Sequence, residues 1–225
     1  VDTYTTNDYL QFELERIAWA STVGSFAGEF AIPSSSVLSY TLQAQEMVWS
    51  KSEKELERLN SKSLKTMGVD TSVLVQFDEL DQYTLTEKTE LVITLEEIEV
   101  DGRLDLIQLM LEVETREEAM LMVKIISAIG NYHQLVKPIE EVTIRRGLAV
   151  CYDEEGTMVL PLALDYLHWS KEISEVLLSN DLYDESRSLW ISGTASAIAK
   201  RRLATHDWKL KENCFDTFAA LQPNL

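Results

Sequence analysis

LWISGTASAIAKRRLATHDWKLK, residues 189–211, is the stretch whose reading decides the fold. Leu189 to Ile191 reads as a short strand, Thr194 to Thr205 as a helix, and Trp208 to Lys211 as a strand in which apolar residues alternate with Lys. Strand, helix and strand in that order make a β-α-β unit. Immediately upstream, EVTIRRGLAVCY and TMVLPLAL read as a strand pair joined by the acidic turn Asp153 to Gly156, and Ser170 can cap a helix through Ile173, Val176 and Leu177.

Further toward the N-terminus, Thr115 and Glu118 form a T-x-x-E capping box ahead of a helical run through Ala119, Met122, Val123, Ile126 and Ile129. Gly130 and Asn131 are natural stop residues for that helix. Before it, LVITLEEIEV and LDLIQLMLEV flank the pair Asp101-Gly102, and a DG dipeptide between two apolar runs predicts a long antiparallel hairpin, with Val73 and Val75 opening the strand region.

The first segment, Asp8 to Lys65, reads as helical. Phe12, Trp19, Val23, Phe26 and Phe30 recur at helical steps, and Pro33 followed by Ser34, Ser35 and Ser36 breaks the run and offers caps for a second helix. That helix carries Val37, Tyr40, Ala44, Met47 and Val48 and finishes in the charged run Lys51 to Lys62. The expected architecture is α+β: a helical hairpin or arm over 1–66, then a mixed α+β domain over 67–225 with antiparallel hairpins and the closing β-α-β unit. Four Pro and eight Gly in 225 residues punctuate few turns, consistent with long regular elements.

The formal charge is −18, from 20 Lys plus Arg against 38 Asp plus Glu. Such acidity disfavours direct nucleic-acid or anionic-membrane binding, which needs clustered cations. The acid is concentrated: fifteen acidic side chains between Asp70 and Glu118 face only Lys88, Arg103 and Arg116, for a net −12. Lys200, Arg201, Arg202, Lys209 and Lys211 form a basic cluster near the end. Cys151 and Cys214 lie outside any CxxC motif, so two buried thiols are expected, with a single bridge as the alternative in an exported chain. The chain opens on Val1 rather than Met, and a further segment upstream is expected.

No GxSxG, HExxH, Walker A or GxGxxG pattern occurs, and His133, His168 and His206 have no partner at metal-ligand spacing. No cofactor and no metal are expected. His133, Cys151, Asp165 and His168 are the residues from which a nucleophilic site could assemble in the fold. Ser192, Gly193, Thr194 and Ser196 stand at a strand-to-helix junction, where free N–H groups and the helix dipole can attract an anion. Ala20, Gly24 and Gly28 fall at steps of four and make a small-residue face beside the aromatic stripe of Phe12, Trp19, Phe26 and Phe30. Glu29 and Pro33 break the apolar run, so close helix packing rather than a membrane span is expected there. The leading functional expectation is a non-enzymatic interaction or assembly protein that binds a protein partner, or itself, through the N-terminal arm. An acidic inhibitor or nucleic-acid mimic acting on a basic partner is the first alternative, and a hydrolase or transferase the second.

Overall fold

The computed structural model describes residues 47–215, Trp49 excepted. The arm positions Phe12, Trp19, Ala20, Gly24, Phe26, Gly28 and Phe30 lie outside the described residues, as do Pro33 and the serines after it. Among the described residues the α+β class holds. In chain order come α1 (Glu53–Thr66), α2 (Thr71–Glu79), α3 (Leu85–Glu97), α4 (Asp105–Leu111) and α5 (Arg116–Leu135). They are followed by β1 (Ile139–Arg145), β2 (Leu148–Asp153), β3 (Met158–Leu162), β4 (Tyr166–Leu167), α6 (Lys171–Leu177), a 3-10 turn (Asn180–Leu182), β5 (Arg187–Ile191), β6 (Thr194–Ala195), α7 (Ala197–Thr205) and β7 (Trp208–Lys211). Among the described residues no helix is long and apolar enough to cross a membrane.

The five-stranded sheet runs β1-β2-β3-β5-β7. β1, β2 and β3 pair antiparallel, whereas β3, β5 and β7 pair parallel. The closing β-α-β unit is therefore present as β5-α7-β7, and a second parallel crossover, β3 to β5 through α6, precedes it. Every residue of β3 and β5 is buried, as parallel strands covered on both faces require. On one face Val142, Ala149, Cys151, Val159 and Trp190 join a core built mainly from α2 to α5. The alternate positions Val150, Leu160, Leu189 and Ile191 are buried on the other face, which the crossovers cover with Leu177, Ala199 and Leu203.

The segment expected to form a long hairpin over residues 91–113 is helical instead, as α3 and α4. Thr84 accepts the Glu87 N–H at 3.3 Å and the Glu87 carboxylate accepts the Thr84 N–H at 2.8 Å, a capping box that starts α3 upstream of the apolar run. Leu91, Val92, Ile93 and Leu95 are buried on every side of this helix, and such a helix and a buried strand look alike in apolar periodicity. Gly102 does take a positive φ of 77°, but it turns between helices. A Cβ there would stand 1.7 Å from the Val142 carbonyl oxygen, and the Asp101 carbonyl accepts the Val142 N–H at 2.9 Å, closing the outer edge of β1. Val73 and Val75 belong to α2 rather than to a strand.

Three further expectations need correction. The charged run Lys51 to Lys62 does not continue the preceding helix: Ser52, whose N–H donates to the Glu55 carboxylate at 3.1 Å, starts α1 afresh. EVTIRRGLAVCY is two strands, because Arg146 and Gly147, at φ 53° and 72°, form a two-residue turn with Arg145 paired to Leu148. Gly130 and Asn131 do not stop α5, which runs on to Leu135. The capping box at Thr115 and Glu118 and the Ser170 cap are both formed as expected.

Gly130 serves packing. A Cβ on it would lie 2.5 Å from Thr94 Cγ2, where α3 meets α5, and Thr94 is 1% exposed with a β-branched side chain that cannot swing aside. Gly130→Ala is expected to lower stability by about 1–3 kcal/mol through overpacking, despite the better helix propensity of Ala. Adding Thr94→Ser, which removes the obstructing methyl group, should restore the melting temperature. Calorimetry of the three proteins checks it, and a single variant as stable as the wild type would show that the helices part freely.

Glu87 is 1% exposed and receives Arg116 through two hydrogen bonds of 2.6 Å. Burial alone would push its carboxyl up, but Arg116 and Thr84 outweigh that and hold it below the usual carboxylate range. Arg116→Met should destabilise by about 3 kcal/mol or more at neutral pH, since it strands a buried charge. The raised Glu87 pKa of that variant favours the folded state in acid, whereas the lowered one of the wild type does not. The gap between the two proteins in urea unfolding should therefore narrow as pH falls toward the ordinary carboxylate range; a constant gap would show that the charge is not what matters.

Candidate functional site

The residues proposed for nucleophilic chemistry are not joined to one another. Cys151 sits in β2 at 0% exposure, and burial pushes its thiol up to about 12, away from the thiolate. His133, near the end of α5, accepts the Ile139 N–H on Nδ1 at 3.0 Å, and burial holds its pKa below the usual value. Asp165 and His168 are exposed on either side of β4. No hydrogen bond or ion pair links any two of the four, and among the described residues no three His, Cys, Asp or Glu side chains are grouped to hold a metal ion. Cys151 and Cys214 are both buried thiols, and Cys214 Sγ donates to the Ile191 carbonyl at 3.4 Å.

The acidic turn after β2 is closed by its own chain. The Asp153 carboxylate accepts the N–H groups of Glu155 and Thr157 at 3.0 and 2.9 Å, an Asx-type turn, while Lys137 reaches Asp153 at 3.2 Å and Glu155 at 2.9 Å. Lys137 thus supplies the positive charge that a cation would have brought.

The strand-to-helix junction is real, and the structure shows how its donors are used. Gly193 crosses so close beneath the loop after β3 that an added Cβ would stand 1.9 Å from the Asp165 carbonyl oxygen. Gly193, Thr194 and Ser196 donate their N–H groups to the carbonyls of Leu164, Asp165 and Leu167 at 2.8, 3.0 and 3.0 Å. Ser196 Oγ accepts the Ala199 N–H at 3.1 Å and so caps α7. The Ala195 N–H goes to Glu212 Oε1 at 2.7 Å, and the other Glu212 oxygen pairs with Lys200 at 2.8 Å. The N–H groups of Gly193, Thr194 and Ser196 are thus directed to carbonyls of the chain, and that of Ala195 to the Glu212 carboxylate. Ser192 Oγ is buried without a partner.

What this lock leaves exposed is the outer face of α7. Ala199 and Leu203 point inward, while Ile198, Arg201, Arg202 and Thr205 follow one another at steps of three, four and seven on the solvent side. Ile198 is 49% exposed, and neither arginine has an ion pair. Nearby, Thr194 is paired with Tyr166, which is 40% exposed. Residues 197–211 contain five cations and Asp207 alone against them, a net +4 in a chain of −18, so the rest of the chain carries −22. Sequence reasoning registered these cations as a cluster but missed Ile198 among them. The signal was its place three and four residues before Arg201 and Arg202.

Family models, curated proteins and solved structures give no match to this chain.

Lys200 and the Ala195 N–H hold the Glu212 carboxyl below its usual range. A depressed carboxyl contributes stability that is present above the unfolded pKa and lost as pH falls through the folded one. Glu212→Gln is thus expected to cost about 1 kcal/mol at neutral pH and almost nothing in acid below the carboxylate range. Chemical denaturation at both pH values measures it, and a cost that persists unchanged in acid would exclude the charge as its source.

Proposed function

We propose that the chain is a non-enzymatic protein-interaction or assembly protein and that the outer face of α7 is a surface through which it binds. One observation carries the reading: two arginines without an ion pair among the described residues stand one turn beyond a half-exposed isoleucine, on a helix whose ends are both held, in a chain that is otherwise strongly acidic. Arginine and a central apolar anchor are the residue types that concentrate binding energy at protein interfaces. Glu87, Asp153 and Glu212, by contrast, are engaged within the fold. A nucleic acid suits the face poorly, because the −22 on the remainder of the chain repels a phosphate backbone. The positions in the N-terminal segment lie outside the described residues, so the reading rests on α7.

The test places a photo-crosslinking amino acid at Ala204, which is exposed on α7, and at Glu154, exposed in the β2–β3 turn, as control. A discrete protein adduct is expected from position 204 in the native host and should vanish in the R201E/R202E background. No adduct, or equal adducts from both positions, would overturn the reading.

A further inference from the structure

We infer that the partner seated on α7 is a second copy of this chain, which presents its α2; the inference rests on the reading of α7 as a binding face and names its partner. Helix α2 turns Leu74 and Phe77 into the core. On its solvent side stand Val75, Asp78 and Glu79, at positions i, i+3 and i+4. On α7 Ile198, Arg201 and Arg202 stand at the same three positions. The two faces therefore match residue for residue, one apolar group beside two anions and one apolar group beside two cations.

Exposure and charge agree with the spacing. Val75 and Ile198 are each 49% exposed, two of the few large apolar side chains the described residues leave in water. Residues 70–81 contain Asp70, Asp78, Glu79 and Asp81 with no cation, whereas on α7 Arg201 and Arg202 are the cations left over once Lys200 has paired with Glu212. The Asp78 carboxylate accepts the Ser61 hydroxyl at 3.4 Å and lies close enough to Lys88 to favour its charged form, while Glu79 has no ion pair among the described residues. The Lys88 ammonium makes its hydrogen bond to the Asp78 backbone carbonyl, at 2.7 Å, and lies over the Phe77 ring, so neither Asp78 nor Glu79 is held in an ion pair. Among the described residues Arg201 and Arg202 have no ion pair either. Each molecule thus carries both halves of one contact without having joined them within itself.

Each copy offers one α2 and one α7, so the contact is made either twice in a two-fold dimer, α2 of each copy on α7 of the other, or head to tail in a larger ring or an open chain. Paired charges across such a contact are screened by salt, while the Val75–Ile198 pairing is not.

The experiment measures mass by sedimentation velocity on the full chain at about 0.15 M and about 1 M salt, where the Debye length falls from about 8 to 3 Å. The wild type should grow in mass with concentration at the lower salt and return toward the monomer at the higher. R201E/R202E and D78K/E79K should each stay monomeric, with unchanged circular dichroism to show that they fold. Mixed in equal amounts they should associate again, because the intact α2 of one meets the intact α7 of the other and the two reversed faces are once more opposite in charge. A wild type that stays monomeric at hundreds of micromolar, or variants that do not pair on mixing, would overturn the inference. If the wild type is monomeric yet position 204 still yields an adduct with a different protein, self-association falls and the α7 reading stands. If no adduct forms either, both fall.

Discussion

The grip of Arg116 on Glu87 sets the helical layer. Arg116 is the first residue of α5 and Glu87 lies in the first turn of α3, so two hydrogen bonds between them fix the starts of both helices against each other. Further along the same two helices Gly130 lies against Thr94 and Ser127 donates to Glu90 at 3.5 Å. The buried face of α3 carries Thr89 and Glu90 as well as Glu87, and α1 answers it with Asn60, whose amide donates to Thr89 at 2.9 Å. A buried ion pair is weak evidence for net stability, since desolvation offsets much of the attraction. Its value here is specificity: an all-apolar α3 could slide or rotate against its neighbours, while one that must meet Arg116, Asn60 and Ser127 at defined points cannot.

The sheet is joined to that layer by rings. Tyr132 of α5 lies with its ring 4.1 Å from that of Trp190 in β5, and the Lys211 ammonium covers both at 5.4 and 5.2 Å. At the start of the same strand Arg187, 6% exposed, is stacked between Tyr183 and Trp208 and donates to the carbonyls of Leu182 and His206. One guanidinium thereby ties the 3-10 turn to the turn after α7. With Glu212 and Lys200 holding the start of α7 and Arg187 reaching the turn that follows it, the helix is anchored at both ends. A face held this way loses little conformational freedom on binding, which is the physical content of calling it preorganised.

How much of this could be read from the sequence depended on the range of the interaction. Signals three residues apart survived: the Thr115–Glu118 box, the Ser170 cap, and the strand-helix-strand order of residues 189–211. The reading over residues 91–113 failed because the deciding signal, Thr84 with Glu87, stood upstream of the apolar run, and Asp101-Gly102 supplied a positive φ that helical turns use as well as hairpins. Arg146-Gly147 was passed over because Arg at a positive φ is uncommon. Gly130 reads as a stop in the sequence because its reason for being glycine, Thr94, is 36 residues away. The junction at Ser192 to Ser196 is where the sequence places it, but the carbonyls of Leu164, Asp165 and Leu167 that take three of its N–H groups, and Glu212, which takes a fourth, come from outside it, and no local pattern announces them.

The charge distribution raises a question about any surface this chain offers to its own kind. Two bodies of net −18 repel each other, and the three cations of α7 do not change that sign at long range. Distance decides between the two effects. Repulsion between the bulk charges acts over separations well beyond the Debye length of about 8 Å at physiological ionic strength, and is largely screened there. Pairs brought within about 4 Å across a contact, partly shielded from water by an apolar neighbour, are screened much less. Removing salt lengthens the reach of the repulsion and opposes approach; adding salt to molar levels weakens the pairs themselves. For a contact of the kind proposed, these two effects favour association at salt between the limits, where the long-range repulsion is screened and the close pairs are not yet weakened.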